Sequence, residues 1–471
     1  MLEQNRQNIV LMVVITALTL AAALILVRAS AATTFIVLVS LIIAILTFVS
    51  TDFALYILIA AMLLGPQFGV GEAPGEGVRG RGLTLRMDDF LLVIIGVSWF
   101  LKTAVNKELG LFLKTPLNGP IAWYFLACLL STLWGYLMGR VKGNAGIFFV
   151  LKYFEYFIVY FMAVNYLKEK EQIERFVYFM LFVCFLVCLY ALYQIPQGVR
   201  VSAPFEGQEG EPNTLGGYLV LMLSLTLGLL LNPTGVRHKY RLRILVFFIL
   251  VALAATLSRS SWLALIPMTL AFLYYSERRK VILLVVIAAL VAIPLVTPKM
   301  VRDRVMYTFA QPKEEGQIQV GETRIDTSTS ARLYSWKIVL TRDFIKHPVL
   351  GYGITGYSFV DAQYPRVLIE TGLLGLFTFF LLLYSIHKNA VEAYRKENDP
   401  FLRGVLLGYL AGFFALLTHA IGVNTFIIVR IMEPFWFLTA MVIMIPVIKK
   451  LEEAKSDQAT PQGRPVVQKA L

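Results

Sequence analysis

Residues 242–297 read LRILVFFILVALAATLSRSSWLALIPMTLAFLYYSERRKVILLVVIAALVAIPLVT. Three apolar runs stand here, 242–258, 260–276 and 281–297. The first two are parted only by Arg259, within Thr256-Leu257-Ser258-Arg259-Ser260-Ser261-Trp262, and the last two by Glu277-Arg278-Arg279-Lys280. A membrane helix takes about 20 apolar residues. The stretch therefore reads as three spans, with Arg259 at a hairpin apex that has almost no loop and a basic turn on the opposite side of the bilayer.

The same pattern extends over the chain. Of 471 residues 58% are hydrophobic and 15% charged, and the mean hydropathy is +0.70. Soluble domains hold about 45–50% apolar and about 25% charged residues. A soluble enzyme, a disordered chain and a disulfide scaffold are excluded. The expected fold is all-α, a polytopic transmembrane bundle of about 12–14 spans. The spans fall near 9–27, 33–50, 52–65, 88–105, 119–138, 145–164, 175–195, 214–231, 242–258, 260–276, 281–297, 366–386, 403–421 and 429–448. The third is short, ends at Gly65-Pro66 and could be re-entrant. The run 9–27 is longer than the roughly 7–15 residues of a signal-peptide core, so an uncleaved first span is expected.

Clusters such as Lys102/Lys107/Lys114, Arg237/Lys239/Arg241/Arg243 and Arg278/Arg279/Lys280 occupy loops of one parity. By the positive-inside rule both termini are cytoplasmic. This explains the net charge of +13 without nucleic acid. Four segments follow: spans one to eleven over 1–297, a long extracytoplasmic loop over 298–365, C-terminal spans over 366–448, and a disordered cytoplasmic tail over 449–471. The loop is polar and suits a short amphipathic helix at Ser330–Ile345. Cys128, Cys184 and Cys188 all lie in apolar runs and read as small core hydrophobes.

Ionisable groups in or at the rim of membrane helices are candidates for function. Lys152 and Glu155 share one face of the sixth span, with Lys152 about 10 Å deep. They are either a mutual ion pair or part of a substrate cavity. Arg259 presents a planar fork suited to phosphate oxygens. Arg200, Arg332, Arg366 and Arg430 lie on the same outer side, as does Arg324; singly each could be solvated, together they suit an anionic substrate. Asp361 and Glu370 flank Arg366, and either could be a general base or its ion-pair partner. His347 reads as a turn residue and His419 as structural. Gly351-Tyr352-Gly353 with Gly356 is a turn cluster, with no P-loop, metal-ligand spacing or nucleophile elbow beside it.

The order Leu257-Ser258-Arg259-Ser260-Ser261-Trp262, Arg332-x-x-x-Trp336, His347-Pro348-Val349-Leu350-Gly351-Tyr352-Gly353 and Asp361-x-x-Tyr364-x-Arg366-x-x-x-Glu370-x-Gly372 resembles the O-antigen ligase and polymerase superfamily of bacterial membrane proteins. The likeness is clearest over residues 200–440. It implies a GT-C-like, metal-independent glycosyltransferase with no cofactor, in the cytoplasmic membrane with its active site facing outward. The donor would be an oligosaccharide on undecaprenyl pyrophosphate. Membrane lipids, a chain-length regulator and other polysaccharide assembly proteins would be its partners. The resemblance gives the pyrophosphate to Arg259, and less directly to Arg200 and Arg332; Tyr364, Arg366, Lys152 and Arg430 are the further substrate-binding candidates. Asp361, Glu370 and Arg259 are the catalytic candidates. Ligases usually begin the last block with His-Asn or His-Ser, whereas this chain has Asp361-Ala362. That favours a polymerase of lipid-linked repeats over a ligase acting on lipid A–core. A lipid-linked oligosaccharide flippase is a third reading, but transporters bind near the bilayer midplane and here the charges gather at the rim.

Overall fold

The computed structural model describes residues 50–69, 84–86, 89–97, 113–206, 210–232, 238–297, 299–311, 317–320 and 323–459, with isolated positions between 12 and 46. The expected spans 9–27 and 33–50 lie largely outside the described residues, as do most of the Gly-rich 66–87 stretch and residues 460–471.

The described chain is α-helical apart from two small antiparallel ladders, β1 (Gln67–Gly69) with β2 (Thr84–Arg86) and β3 (Gln319–Val320) with β4 (Thr323–Arg324). The helices in order are α1 (Thr51–Leu64), α2 (Asn118–Leu137), α3 (Gly143–Tyr166), α4 (Lys170–Gln194), α5 (Pro212–Leu231), α6 (Lys239–Ala255), α7 (Arg259–Tyr275), α8 (Arg279–Val296), α9 (Lys299–Ala310), α10 (Thr327–Ile338), α11 (Gln363–Lys396), α12 (Pro400–Gly422) and α13 (Val429–Ala459). Residues 89–97 are also helical. Among the described residues seven helices are long and apolar enough to cross a membrane: α2, α3, α4, α5, α11, α12 and α13. The chain is an all-α, multi-pass membrane protein. The larger span count expected from sequence includes runs outside the described residues and shorter helices such as α1, α6 and α7, of 14, 17 and 17 residues. The expected tail also differs, because α13 continues past residue 448 to Ala459.

The centre of the bundle is α5, α12 and α13, which bury 83%, 78% and 89% of their apolar windows, against 39% for α2. In lipid there is little hydrophobic drive between helices, so close packing of small residues does the joining. A Cβ on Gly228 of α5 would lie 2.4 Å from the backbone nitrogen of Gly408 in α12. On the other side Trp436 of α13 meets the rings of Phe157 and Tyr160 of α3 edge-on, at 4.8 and 5.6 Å.

α11 is broken at Gly372, whose φ of +66° and ψ of −165° leave the helix. The segment 348–353 docks into the break. Leu373 and Leu374 donate to Pro348 and Val349 carbonyls, while Tyr352 and Gly353 donate to those of Ile369 and Glu370. Free backbone groups at membrane depth are thus satisfied from a neighbouring segment. The approach is close enough that a Cβ on Gly372 would stand 2.2 Å from the Val349 oxygen. The glycine cluster at 351–353 is therefore a backbone graft onto a discontinuous helix, not a free turn.

Several connections converge on one end of the bundle. Val201 donates to Ala255, Ser258 Oγ donates to Asn213 Oδ1 at 2.8 Å, and Asn424 donates to the Val360 carbonyl at 2.9 Å. This end carries the segment 195–211, the α6–α7 turn, the long loop and the start of α11.

Candidate active site: an arginine cluster

The α6–α7 turn is tight because Leu257 adopts a left-handed conformation, φ +52°, which is uncommon without glycine. Ser258 then caps α7, its side chain accepting from the Ser261 amide. Arg259 is the first residue of α7 and so stands at the positive end of the helix dipole, where anions are favoured. Behind it His419 is fully buried. Its Nδ1 lies 2.8 Å from Thr425 Oγ1 and its Nε2 3.2 Å from Ser261 Oγ, which makes it a strut beneath the turn.

Arg259 grips Asp326 through both ends of its fork, Nη1 to Oδ2 at 2.7 Å and Nη2 to Oδ1 at 2.9 Å, and donates to Ser328 Oγ at 2.7 Å. Asp326 also caps α10, accepting from the Ser328 and Thr329 amides at 3.2 Å. Burial alone would raise this carboxyl. The hydrogen bonds from Arg259, Ser328 and Thr329 outweigh it and hold Asp326 well below the usual carboxylate range. Further along α10, Arg332 donates to Asp361 through Nε at 3.1 Å and Nη2 at 2.8 Å. Arg200 follows a 3-10 turn, Ile195–Gln197, and donates to the Thr256 and Leu257 carbonyls at 3.1 and 3.3 Å. It caps the C-terminal end of α6.

A fourth cation, Arg304 on α9, joins them. Burial, and after it the charges of Arg304, Arg259 and Arg332, push the Arg200 guanidinium down to about 10. Arg304 is itself lowered, by burial and then by Arg259. Its buried Nε has no hydrogen-bond partner among the described residues. Four guanidiniums thus lie within electrostatic reach of one another, two of them paired with Asp326 and Asp361, with a net positive balance in a partly desolvated place. Such an arrangement is stabilised by an anion with several acceptor oxygens.

The structure brings together Arg200, Arg259, Arg332 and Asp361 of the candidates read from sequence. Arg366 and Glu370 form a buried pair at 3.2 Å within α11, with the Phe359 ring 5.5 Å from the guanidinium. The Glu370 side chain is 8% exposed and that of Asp361 39%, so Asp361 is the more accessible of the two carboxylates. Lys152 pairs with Glu155 at 3.1 Å and with Asp89, joining α3 to the helix at 89–97. Tyr364 donates to the Leu417 carbonyl at 2.7 Å and stacks on Phe380, fastening α11 to α12.

Arg430, expected to face substrate, is 1% exposed. It donates to Leu63, Gly65 and Pro204 carbonyls at 3.1, 3.3 and 2.7 Å. Arg86 adds a bond to Met62 O at 2.9 Å. The two arginines satisfy the orphan carbonyls at the C-terminal end of α1, a helix of about 21 Å that is too short for the roughly 30 Å hydrocarbon core. Arg430 is a fold-holding residue in this structure.

Sequence reading missed Arg304 and Asp326. Asp326 had a legible signal, an N-cap residue before Thr327-Ser328-Thr329. Arg304 had only its place on an amphipathic stretch.

Residues 244–380 match the O-antigen ligase family. The matched segment runs from α6 into α11 and carries Arg259, Arg304, Asp326, Arg332, Asp361, Arg366 and Glu370; Arg200 lies before it. The match bears out the likeness to the O-antigen ligase and polymerase superfamily, whose members transfer glycosyl groups from lipid-linked substrates in membranes. A comparison with curated proteins finds no match.

Proposed function

Since its central segment is O-antigen-ligase-like, we propose that this chain is a polymerase of undecaprenyl-pyrophosphate-linked oligosaccharide repeats, working on the outer face of the cytoplasmic membrane. The observation that carries the reading is the convergence of Arg200, Arg259, Arg304 and Arg332 at the amino end of α7.

In this account the pyrophosphate of the donor lies among the four guanidiniums. The acceptor hydroxyl of the next lipid-linked repeat attacks the anomeric carbon of the donor glycan. The bond from that carbon to the pyrophosphate oxygen breaks, and undecaprenyl pyrophosphate leaves with the electron pair. Negative charge grows on the leaving oxygen, and fixed cations placed there in advance lower the barrier. Arg259 and Arg332 are held in position by Asp326 and Asp361 before substrate arrives, so little reorganisation is needed at the moment of reaction.

Asp361 takes the proton of the acceptor hydroxyl. Glu370, buried on Arg366, shapes α11 instead. Tyr364 and Lys152 support the helices that frame the site. The loop 298–365, tied to the bundle through the Arg259–Asp326 pair and through the segment 348–353 docked on α11, covers the glycan. Asp361 in the place where ligases have a histidine supports polymer growth over transfer to lipid A–core.

The test is turnover by the purified protein in lipid. Supplied with a lipid-linked oligosaccharide, it should release undecaprenyl pyrophosphate in step with chain growth, with or without a chelator. No release beside an active control enzyme contradicts the reading.

A further inference from the structure

At the end of the bundle opposite the arginine cluster, α4 and α6 enclose a cleft of about 750 Å³, within the roughly 300–1,000 Å³ of small-molecule sites. Its mouth holds Glu171, Glu174 and Arg175 from α4, and Arg241 from α6. Its walls are apolar, with Leu181 and Phe182 on one side and Ile244 on the other. Phe185 lines its deep end on α4 and meets Phe248 of α6 edge-on, 5.3 Å between ring centres. From Arg175 to Phe185 is ten residues, about 15 Å along a helix. That is half of the roughly 30 Å hydrocarbon core, the depth of one leaflet.

The mouth carries both signs of charge. Arg175 and Arg241 are exposed, and Arg241 is engaged through Nε with the Tyr240 hydroxyl at 3.1 Å. Glu171 is exposed, and Glu174 lies 3.6 Å from Lys170. A net-negative headgroup would meet two carboxylates beside the two arginines. A zwitterionic headgroup satisfies both, with its phosphate toward arginine and its ammonium toward glutamate. A polyprenyl phosphate fits less well, because its net-negative head would meet Glu171 and Glu174 at the polar end of the cleft.

We infer that this cleft is a binding site for one zwitterionic aminophospholipid. The phosphate lies between Arg175 and Arg241, the ammonium faces Glu171 and Glu174, and an acyl chain runs past Phe182 and Ile244 to Phe185. The site is independent of the proposed transferase reaction.

The experiment uses the full chain reconstituted in vesicles of equimolar phosphatidylethanolamine and phosphatidylglycerol, then extracted in mild detergent. Native mass spectrometry reads the lipid retained per chain. Wild type should keep one phosphatidylethanolamine, favoured about tenfold over phosphatidylglycerol, which is about 1.4 kcal/mol. Arg175→Ala with Arg241→Ala should cut that retention about tenfold. Glu171→Gln with Glu174→Gln should shift the preference toward phosphatidylglycerol. Ile244→Trp, at a half-exposed wall position that folding tolerates, should evict lipid of either kind while the melting temperature holds. Equal retention of the two lipids, a wild-type preference for phosphatidylglycerol, loss of phosphatidylethanolamine to added polyprenyl phosphate, or full retention by the arginine and tryptophan variants would each overturn the inference.

Discussion

Replacing Arg259 with Gln removes two hydrogen bonds to Asp326 and one to Ser328. Asp326, whose side chain is 2% exposed, keeps its bonds from Thr329 Oγ1 at 2.8 Å and from the Ser328 and Thr329 amides. The carboxylate is therefore not orphaned. With Arg259 itself 19% exposed, the stability cost is about 1–2 kcal/mol. The catalytic cost is larger. Losing one preorganised donor to a developing oxyanion costs about 2.7–4 kcal/mol, or roughly 10²–10³ in kcat. The assay is the initial rate of chain extension at saturating donor, with protein level and melting temperature measured alongside. Asp326→Asn supplies the contrast, because it weakens the strut but leaves the cation. It should cost less than about tenfold, so the two single variants separate the roles of charge and support. Normal extension by Arg259→Gln would refute the assignment. Equal losses in Arg259→Gln and Asp326→Asn, with the double variant no worse than either, would also refute it, by showing that Arg259 only holds the loop.

Other consequences follow from the same geometry. Arg304→Gln should raise KM for the donor about tenfold with a smaller change in kcat, read from steady-state kinetics. Asp361→Asn should lower kcat by roughly 10²–10⁴ and leave KM nearly unchanged; an unaltered kcat removes Asp361 as the base. The depressed Asp326 carboxyl contributes stability that is fully present above the unfolded value of about 4 and is lost as pH falls toward the folded one. Melting curves between pH 5 and 2 should fall more steeply for wild type than for Asp326→Asn. Gly372→Ala combines a left-handed backbone with a Cβ 2.2 Å from the Val349 oxygen, and should destabilise by at least about 2 kcal/mol, seen as a lower melting temperature in thermal unfolding.

The membrane class and the α6–α7 hairpin were legible because both rest on local quantities, the length of an apolar run and the single Arg259 between two of them. The long loop was not legible in its internal form. The expected helix at Ser330–Ile345 ends at Ile338 and passes into a π turn, Val339–Asp343, and a 3-10 turn, Phe344–Lys346. Side-chain partners across the loop were not legible. Asp326 lies 67 residues from Arg259, and no periodicity relates them. Arg430 misled for the opposite reason. An arginine at a helix start is read as rim-facing, and only the folded chain places three carbonyls of distant segments around it. The break in α11 was similarly hidden, because Gly372 within an apolar run looks like any helical glycine until the segment 348–353 is docked against it.

The most direct test of the central claim gives purified protein in lipid a labelled undecaprenyl-pyrophosphate oligosaccharide, with and without lipid A–core, and separates the products on a gel. The account predicts a ladder from the lipid-linked donor alone, unaffected by the added acceptor. A single shifted band that appears only with lipid A–core would contradict the polymerase reading and make the chain a ligase. Transfer of the donor across liposomes with no growth in product would contradict the enzyme reading altogether.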